Sequence, residues 1–382
     1  MKKIINFFLN LFIYAIIFAI FIFIILSLFN FLFNNSNKQI DIQSIVTQFK
    51  DNTITNTIKQ SNSKNIVDIS TNNSGNTIIA SITNTENING NNNIQTNTNF
   101  YYLQLNENAK IIYDALEENI NNLIEENYTI DFSTTFNTLL NKSDGQYQLN
   151  KAFQGALDAF FYDHPELFYI DLTKMSLLIK SSSFLSNTTY SVSITPRDEK
   201  NYISDYLGNT KNAKEAVSKV ENIKNNIINY IDTNNDYDTI LQVHNILINS
   251  IKYDTTTSNA HNIYGALVEN ISVCEGYAKA FKYILDSLNI KCILVNGIAT
   301  NSSGESESHM WNYIKLNDKW YGVDVTWDDP ITIGNPTRNN LRHDYFLKGY
   351  YTFSTSHSPS GKISDEGILF QIPTLSFENY TK

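Results

Sequence analysis

Cysteine, proline, methionine and tryptophan are all scarce in this sequence. Of its 382 residues, two are cysteine, six are proline, three are methionine and three are tryptophan. Folds that depend on a disulfide framework need more cysteines, at regular spacings and in a shorter chain. A disulfide scaffold is therefore excluded, and the two thiols, Cys274 and Cys292, require another explanation.

Positively charged residues are also few, and negatively charged residues outnumber them. The chain has 28 Lys and Arg against 38 Asp and Glu, a formal net charge of -10 at pH 7, and the folded part has no basic stripe. Proteins that bind nucleic acids neutralise phosphates with Lys and Arg, so we expect no nucleic-acid partner. The sequence also lacks an HExxH motif, a Gly-rich phosphate loop and a CxxC pair. We therefore expect no metal site and no cofactor.

One long apolar run stands near the N-terminus. Lys2 and Lys3 precede an almost continuous apolar sequence from Leu11 to Phe29, and roughly 20 such residues can cross a bilayer as a helix. The two lysines favour a cytoplasmic N-terminus. We expect residues 1–33 to be a cytoplasmic tip and a transmembrane signal anchor of a single-pass membrane protein whose remainder is extracytoplasmic. A cleaved signal peptide is the alternative.

Residues 34–99 are dominated by Asn, Thr and Ser and contain no proline. A polar, low-complexity tract of this kind buries too little apolar surface to offset the entropy lost on ordering. We expect it to be a disordered linker that separates the folded part from the membrane.

Globular character begins near residue 100. Helical spacing of apolar residues over 105–128 and 148–161, followed by strand-like runs, predicts a small α+β unit over residues 100–210. Residues 211–382 open with two more predicted helices and hold the reactive side chains. They are expected to form the catalytic domain.

Cys274 occupies a special position in that second unit. Apolar residues recur at helical spacing directly after it, which places the thiol at a helix N-terminus. Unpaired backbone N–H groups and the positive end of the helix dipole favour the nucleophilic thiolate there. Cys292 instead lies in an apolar strand, which we expect to end at a turn at Asn296-Gly297, and has the pattern of a buried core thiol.

A β-hairpin is predicted over residues 309–326, with its turn at Asn317-Asp318. If the residues flanking the turn pair with each other, His309 and Asp324 share a face as diagonal neighbours within side-chain reach. A slip by two residues keeps them together. The hairpin therefore presents an imidazole and a carboxylate side by side.

A thiolate, an imidazole and a carboxylate that orients the imidazole make a nucleophilic triad. Around these residues the chain reads VCEGYAKAF, HMWN and WYGVDVTWDDP. These motifs lie within roughly residues 220–355. They resemble those of the transglutaminase-like superfamily of cysteine hydrolases and transferases, and in particular of its surface-anchored bacterial branch. The resemblance implies an α+β, papain-like domain in which a catalytic helix packs on an antiparallel sheet.

The resemblance also implies roles for single residues. Cys274 corresponds to the nucleophile, His309 to the general base and Asp324 to the group that holds the imidazole. The backbone N–H of Cys274 is a natural donor to the oxyanion, and Tyr253 is a weaker candidate for a second donor. Trp311 and Trp327 are expected to pack near the site or to contact substrate.

The resulting hypothesis is a membrane-anchored, extracytoplasmic thiol enzyme that forms a thioester from amide or peptide acyl groups. Its expected substrate is a protein or peptide, such as a cell-wall or surface protein. Either water or an amine can resolve a thioester, so the sequence leaves peptidase and acyltransferase open. The alternative hypothesis is a catalytically silent transglutaminase-like module that serves as a surface binding or scaffold unit.

Overall fold

The computed structural model describes residues 99–197, 200–329 and 341–382. The predicted linker and the apolar run from Leu11 to Phe29 lie outside them. Within the described residues no helix is both long and apolar enough to cross a bilayer. This finding overturns the expectation of a single-pass membrane protein, and we withdraw it.

The helices predicted from apolar periodicity are present, although the first one is shorter than expected. Asn106, Asn209 and Asn235 each cap a helix by accepting a hydrogen bond from the backbone N–H three residues ahead. The α-helices of the described residues are α1 (Glu107–Glu118), α2 (Asn137–Leu140), α3 (Gly145–Asp163), α4 (Thr210–Tyr230), α5 (Asp236–Ser250), α6 (Cys274–Asp286) and α7 (Tyr350–Phe353). Short 3-10 turns cover Tyr102–Gln104, Ile120–Asn122, Pro165–Leu167 and Leu172–Lys174, and a π-helical turn covers Gly265–Glu269.

The strands of the described residues form two antiparallel sheets and one short parallel pair. They are β1 (Ile130–Ser133), β2 (Met175–Phe184), β3 (Asn187–Pro196), β4 (Lys252–Tyr253), β5 (Ile271–Ser272), β6 (Cys292–Thr300), β7 (Ser306–Leu316), β8 (Lys319–Val323) and β9 (His357–Pro359). The first sheet has the order β1-β3-β2, and the second has the order β8-β7-β6-β9, while β4 pairs with β5. The prediction of a mixed α and β architecture with an antiparallel sheet is confirmed.

The second sheet is covered on both faces. Helix α6 packs across β6 and β7, and Phe353 of α7 lies against the rings of Trp311 and Tyr313 on β7. As a result, every residue of β7 from His309 to Ile314 is buried. Polar groups on this strand must therefore find partners inside the protein.

The predicted turn at Asn296-Gly297 is wrong, because β6 continues through both residues to Thr300. A Cβ atom on Gly297 would lie 2.1 Å from the carbonyl oxygen of Ser358 and 2.8 Å from the indole of Trp311. Glycine is needed here because β9 approaches the backbone of β6 closely, not because the chain turns. This contact seats β9, and with it His357, against the sheet.

One hydrophobic core runs through both of the units predicted from the sequence. It includes Leu116 of α1, Phe160 of α3, Phe281 of α6 and Ile314 of β7, and the hydroxyl of Tyr101 donates to the carbonyl of Leu294 across it. The boundary predicted near residue 210 stays a prediction. The continuous core brings α3 and the segment after it up to the candidate site.

Candidate active site

Cys274 is the first residue of α6, as predicted, and its side chain is half-buried. The loop that carries Ala260 crosses the start of this helix, and the hydroxyl of Ser272 donates to the Ala260 carbonyl at 2.7 Å. A Cβ atom on Gly276 would lie 1.9 Å from the Ser272 hydroxyl and 2.9 Å from the same carbonyl. The glycine after Cys274-Glu275 therefore lets the loop pass close to the helix end and keeps the thiol at the rim of a cleft.

His309 lies on β7 in the register that the sequence predicts. Leu316 pairs with Lys319 across the turn, and on its other side β7 pairs His309 with Gly297 of β6. The side chain is only 4% exposed. Its Nε2 atom is 2.7 Å from Oδ2 of Asp324, which is the contact that the alternation of side chains indicated.

Asp324 is held in one orientation by the backbone around it. β8 ends at Val323, and in the turn that follows the other carboxylate oxygen, Oδ1, accepts hydrogen bonds from the N–H groups of Thr326 and Trp327 at 3.0 and 3.1 Å. The backbone N–H of Asp324 donates to the carbonyl of Tyr345. These bonds leave Oδ2 directed at His309.

The electrostatics of this pair favour an ionised carboxylate and a protonated imidazole. Burial alone lowers the pKa of His309, but the charge of Asp324, their hydrogen bond and the neighbouring Cys274 outweigh it and raise that pKa to about 10. Burial alone raises the pKa of Asp324, but His309 and His357 hold it well below its usual range. A proton on His309 beside Cys274 stabilises a thiolate.

The titration of His309 is expected to make stability depend on pH. Its pKa is higher in the folded protein than its ordinary value of 6.5, so the contribution is complete below pH 6.5 and is lost as the pH rises through about 10. The free energy of unfolding, measured with denaturant, should fall by roughly 1 kcal/mol per pH unit over that range. The slope should be smaller by about that amount in His309→Gln, because the titrating imidazole is absent. Equal slopes would contradict the assigned ion pair.

The sequence reasoning missed a second histidine at this site. His357 of β9 is 2% exposed, and its Nε2 is 3.0 Å from the same Oδ2 of Asp324. Its Nδ1 is 2.8 Å from the hydroxyl of Ser356, and its ring stacks on Phe353 with centroids 4.1 Å apart. No motif surrounds it in the sequence, and only the pairing of β9 with β6 brings it to the carboxylate.

His309, Asp324 and His357 together offer three possible metal-ligand atoms within 4.8 Å of one another. In the structure these atoms contact one another at hydrogen-bonding distances, with one carboxylate oxygen shared between the two imidazoles. Hydrogen bonds thus account for the cluster. The expectation of no metal stays a prediction.

The acidic pair after Trp327 anchors the loop that carries Asp324. Asp328 and Asp329 are both fully buried. Asp328 is 3.1 Å from Nε2 of His244, and Asp329 accepts a hydrogen bond of 2.7 Å from the hydroxyl of Tyr277 on α6. The chain segment that positions the carboxylate is therefore tied to α5 and to α6, the helix that begins at Cys274.

Cys274 and His309 both line a cleft of about 670 Å³. Part of the lining comes from α3 and the DHPELFY segment. It combines apolar and polar side chains, namely Phe161, Tyr162, Pro165, Leu167 and Phe168 with Gln154, Asp158 and His164. On the near side, Glu275 is within hydrogen-bonding distance of His261 and accepts a hydrogen bond from Lys279. The cleft thus offers both apolar and polar side chains beside the thiol.

The remaining predicted residues lie close to this cleft. Tyr253 is half-buried on β4, and burial, followed by the charge of Cys274, raises the pKa of its hydroxyl. Trp311 is buried with its ring centroid 6.1 Å from that of His309, whereas Trp327 is half-buried at 5.4 Å. Both tryptophans pack against the imidazole, and neither lines the cleft.

Residues 221–325 match the family model of the transglutaminase-like superfamily. The chain therefore contains a transglutaminase-like domain, which supports its assignment to a family of thiol enzymes. The matched region includes Cys274, His309 and Asp324. The narrower prediction of a surface-anchored bacterial branch has no support from this match.

Two curated relatives are similar to part of this region. The kyphoscoliosis peptidases of Mus musculus and Homo sapiens are 28% and 30% identical to this chain over 98 residues. Each match covers 23% of this chain and 15% of the relative. The chain thus spans a small fraction of the length of these relatives.

Two solved structures are also similar. A crystal structure described as a TGase matches with 15% identity and a TM-score of 0.26, covering 44% of this chain and 47% of that one. A putative cysteine protease from Cytophaga hutchinsonii matches with 17% identity and a TM-score of 0.24, covering 40% of this chain and 64% of that one.

Proposed function

We propose that this protein is a cysteine enzyme that cleaves or transfers amide acyl groups through a thioester on Cys274. The observation that carries the proposal is the placement of His309. Its imidazole is hydrogen-bonded to Asp324, and both Asp324 and Cys274 raise its pKa. A protonated imidazole between a carboxylate and a thiol is the arrangement that activates a cysteine.

The proposed reaction has two stages. The thiolate of Cys274 attacks the substrate carbonyl, and His309 then gives its proton to the departing amine as the C–N bond breaks and the thioester remains. In the second stage water or a new amine attacks the thioester, His309 accepts a proton from it, and the thiolate of Cys274 leaves. Asp324 orients His309 and stabilises its charge throughout.

The oxyanion that forms in each stage needs donors close to Cys274. The first backbone N–H groups of α6 have no carbonyl partner within the helix, which makes them suitable donors. The hydroxyl of Tyr253 is proposed as the second donor, because burial and the charge of Cys274 raise its pKa and so keep its proton in place.

The proposed substrate is a protein or peptide segment that lies in the cleft between the DHPELFY segment and the start of α6. The apolar side chains of Phe161, Leu167 and Phe168 in the lining favour a substrate with apolar side chains near the reacting carbonyl. Hydrolysis and amine transfer are distinguished by paired assays on one substrate. Casein is suitable for both, with peptide release reporting hydrolysis and incorporation of a fluorescent primary amine reporting transfer.

The first test of the proposal is the relative reactivity of the two cysteines. Iodoacetamide should alkylate Cys274 at least tenfold faster than Cys292 at pH 7, because Cys274 is half-buried beside a protonated imidazole. Burial raises the pKa of the Cys292 thiol well above its usual value. Peptide mass spectrometry measures both rates in one sample, and similar slow rates would contradict the proposal.

A further inference from the structure

His357 makes a second hydrogen bond to the carboxylate that holds His309. The two imidazoles reach Asp324 Oδ2 from different strands, His309 from β7 at 2.7 Å and His357 from β9 at 3.0 Å. Since Oδ1 already accepts two backbone N–H groups, all acceptor positions of the carboxylate are in use. Rotation of the carboxylate would break several of these bonds at once.

The surroundings of His357 determine which of its ring nitrogens carries the hydrogen atom that is donated to Asp324. Oδ2 belongs to an ionised carboxylate, so it accepts and Nε2 of His357 donates. The hydroxyl of Ser356 lies against Nδ1 at 2.8 Å and holds the ring in that orientation. The ring is also fixed by packing, because Phe353 stacks on it and Trp311 and Trp327 lie at centroid distances of 4.9 Å each.

We propose that His357 is a positioning residue of this enzyme. It orients the carboxylate of Asp324 and weakens the attraction of that carboxylate for the proton of His309. This inference rests on the proposed function, because His309 is the group on which it acts. The titratable groups that face His357 are Asp324, His309 at a centroid distance of 6.0 Å and Tyr345 at 5.4 Å. Its remaining neighbours are uncharged: the hydroxyl of Ser356 and the rings of Phe353, Trp311 and Trp327.

Removing this donor has two consequences. First, the carboxylate of Asp324 loses one of its two hydrogen-bond partners at Oδ2. The orientation of the His309 ring beside Cys274 is then less well fixed, and the rate of Cys274 alkylation falls. Second, the carboxylate no longer shares its negative charge with a second donor, so it attracts the proton of His309 more strongly and the pKa of His309 rises. A residue that only filled space would produce neither change in a folded variant.

The test compares two substitutions that separate the hydrogen bond from the ring. His357→Phe keeps the stacking on Phe353 and removes the donor, whereas His357→Gln loses the ring and keeps an amide N–H near the position of Nε2. We expect the Phe variant to alkylate Cys274 about tenfold more slowly at pH 7. Its His309 titration, followed by NMR of ring-labelled histidine, should move up by about half a pH unit. The Gln variant should recover most of both properties.

The control is His343→Phe, since His343 is a half-buried histidine that has a ring neighbour and contacts Asn245 rather than Asp324. It should leave both readouts unchanged.

A Phe variant at 357 with a normal alkylation rate and a normal His309 titration would overturn the inference. So would a Gln variant as defective as the Phe variant. If neither variant at 357 folds, Ser356→Ala replaces them. The Ser356→Ala substitution should lower the rate of Cys274 alkylation by roughly two- to threefold, and an unchanged rate would overturn the inference.

The outcome for the wild-type protein separates this inference from the proposed function. If Cys274 of the wild-type protein is as slow to react as Cys292, the proposed function fails. If wild-type Cys274 reacts fast while the variants at 357 behave like the wild type, only the role of His357 fails.

Discussion

Replacing Cys274 with Ala is expected to abolish turnover and to leave the fold intact. The sulfur of Cys274 is the only protein atom that bonds to the acyl group in the proposed reaction, and removal of the nucleophile from such a site lowers kcat by roughly 10⁵–10⁶-fold. The side chain is half-buried at the first turn of α6, so its loss leaves no large cavity. Peptide release from casein and amine incorporation into casein measure the two possible activities, and circular dichroism checks the fold.

Cys292 provides the matched control for that experiment. It is 2% exposed, and its sulfur is 3.4 Å from the amide nitrogen of Asn312, so Cys292→Ala should lower the free energy of unfolding by roughly 1–2 kcal/mol. Turnover at 25 °C should persist. Activity that survives in Cys274→Ala, or that is lost equally in both variants, would contradict the assignment of the nucleophile.

Replacing Asp324 with Asn should lower turnover by roughly 10³–10⁴-fold. An amide cannot stabilise the imidazolium form of His309, and its N–H₂ group favours the wrong tautomer of the ring. Asp324 Oδ2 accepts from both His309 and His357, so the substitution disturbs two buried imidazoles at once. The pKa of His309 should fall towards or below its ordinary value because its main stabilising charge is gone.

The control on the same hairpin is Asp318→Asn. Asp318 lies at the turn with its side chain 95% exposed, and it pairs with Lys315 at the surface. Asn accepts the positive φ of 59° found there, so both turnover and stability should stay near wild-type values. Turnover of Asp324→Asn within tenfold of the wild type would show that the carboxylate is not required.

Local rules were enough to predict the nucleophile helix and the hairpin. The apolar spacing after Cys274 predicts a helix that begins there, and α6 does. Alternation along the strands predicts that His309 and Asp324 meet, and the pairing of Leu316 with Lys319 brings them together. Both predictions depend on residues close in sequence, whose relative positions the backbone periodicity determines.

The prediction at Asn296-Gly297 failed for the opposite reason. A turn signal describes what glycine permits locally, whereas Gly297 is present because Ser358 and Trp311 approach it from other parts of the chain. His357 was missed on the same account, since it is 33 residues from Asp324 and reaches it only through the pairing of β9 with β6. Contacts of this kind leave no periodic pattern in the sequence.

By itself, therefore, the sequence determined the identity and order of the candidate site residues, the helix start at Cys274 and the register that joins His309 to Asp324. The tertiary structure alone decided that the DHPELFY segment lines the cleft and that His244 and Tyr277 anchor the loop of Asp324. It also placed His357 against the shared carboxylate. The physical reason is that helices and hairpins follow from local periodicity, whereas a buried polar network depends on which distant segments the core packs together.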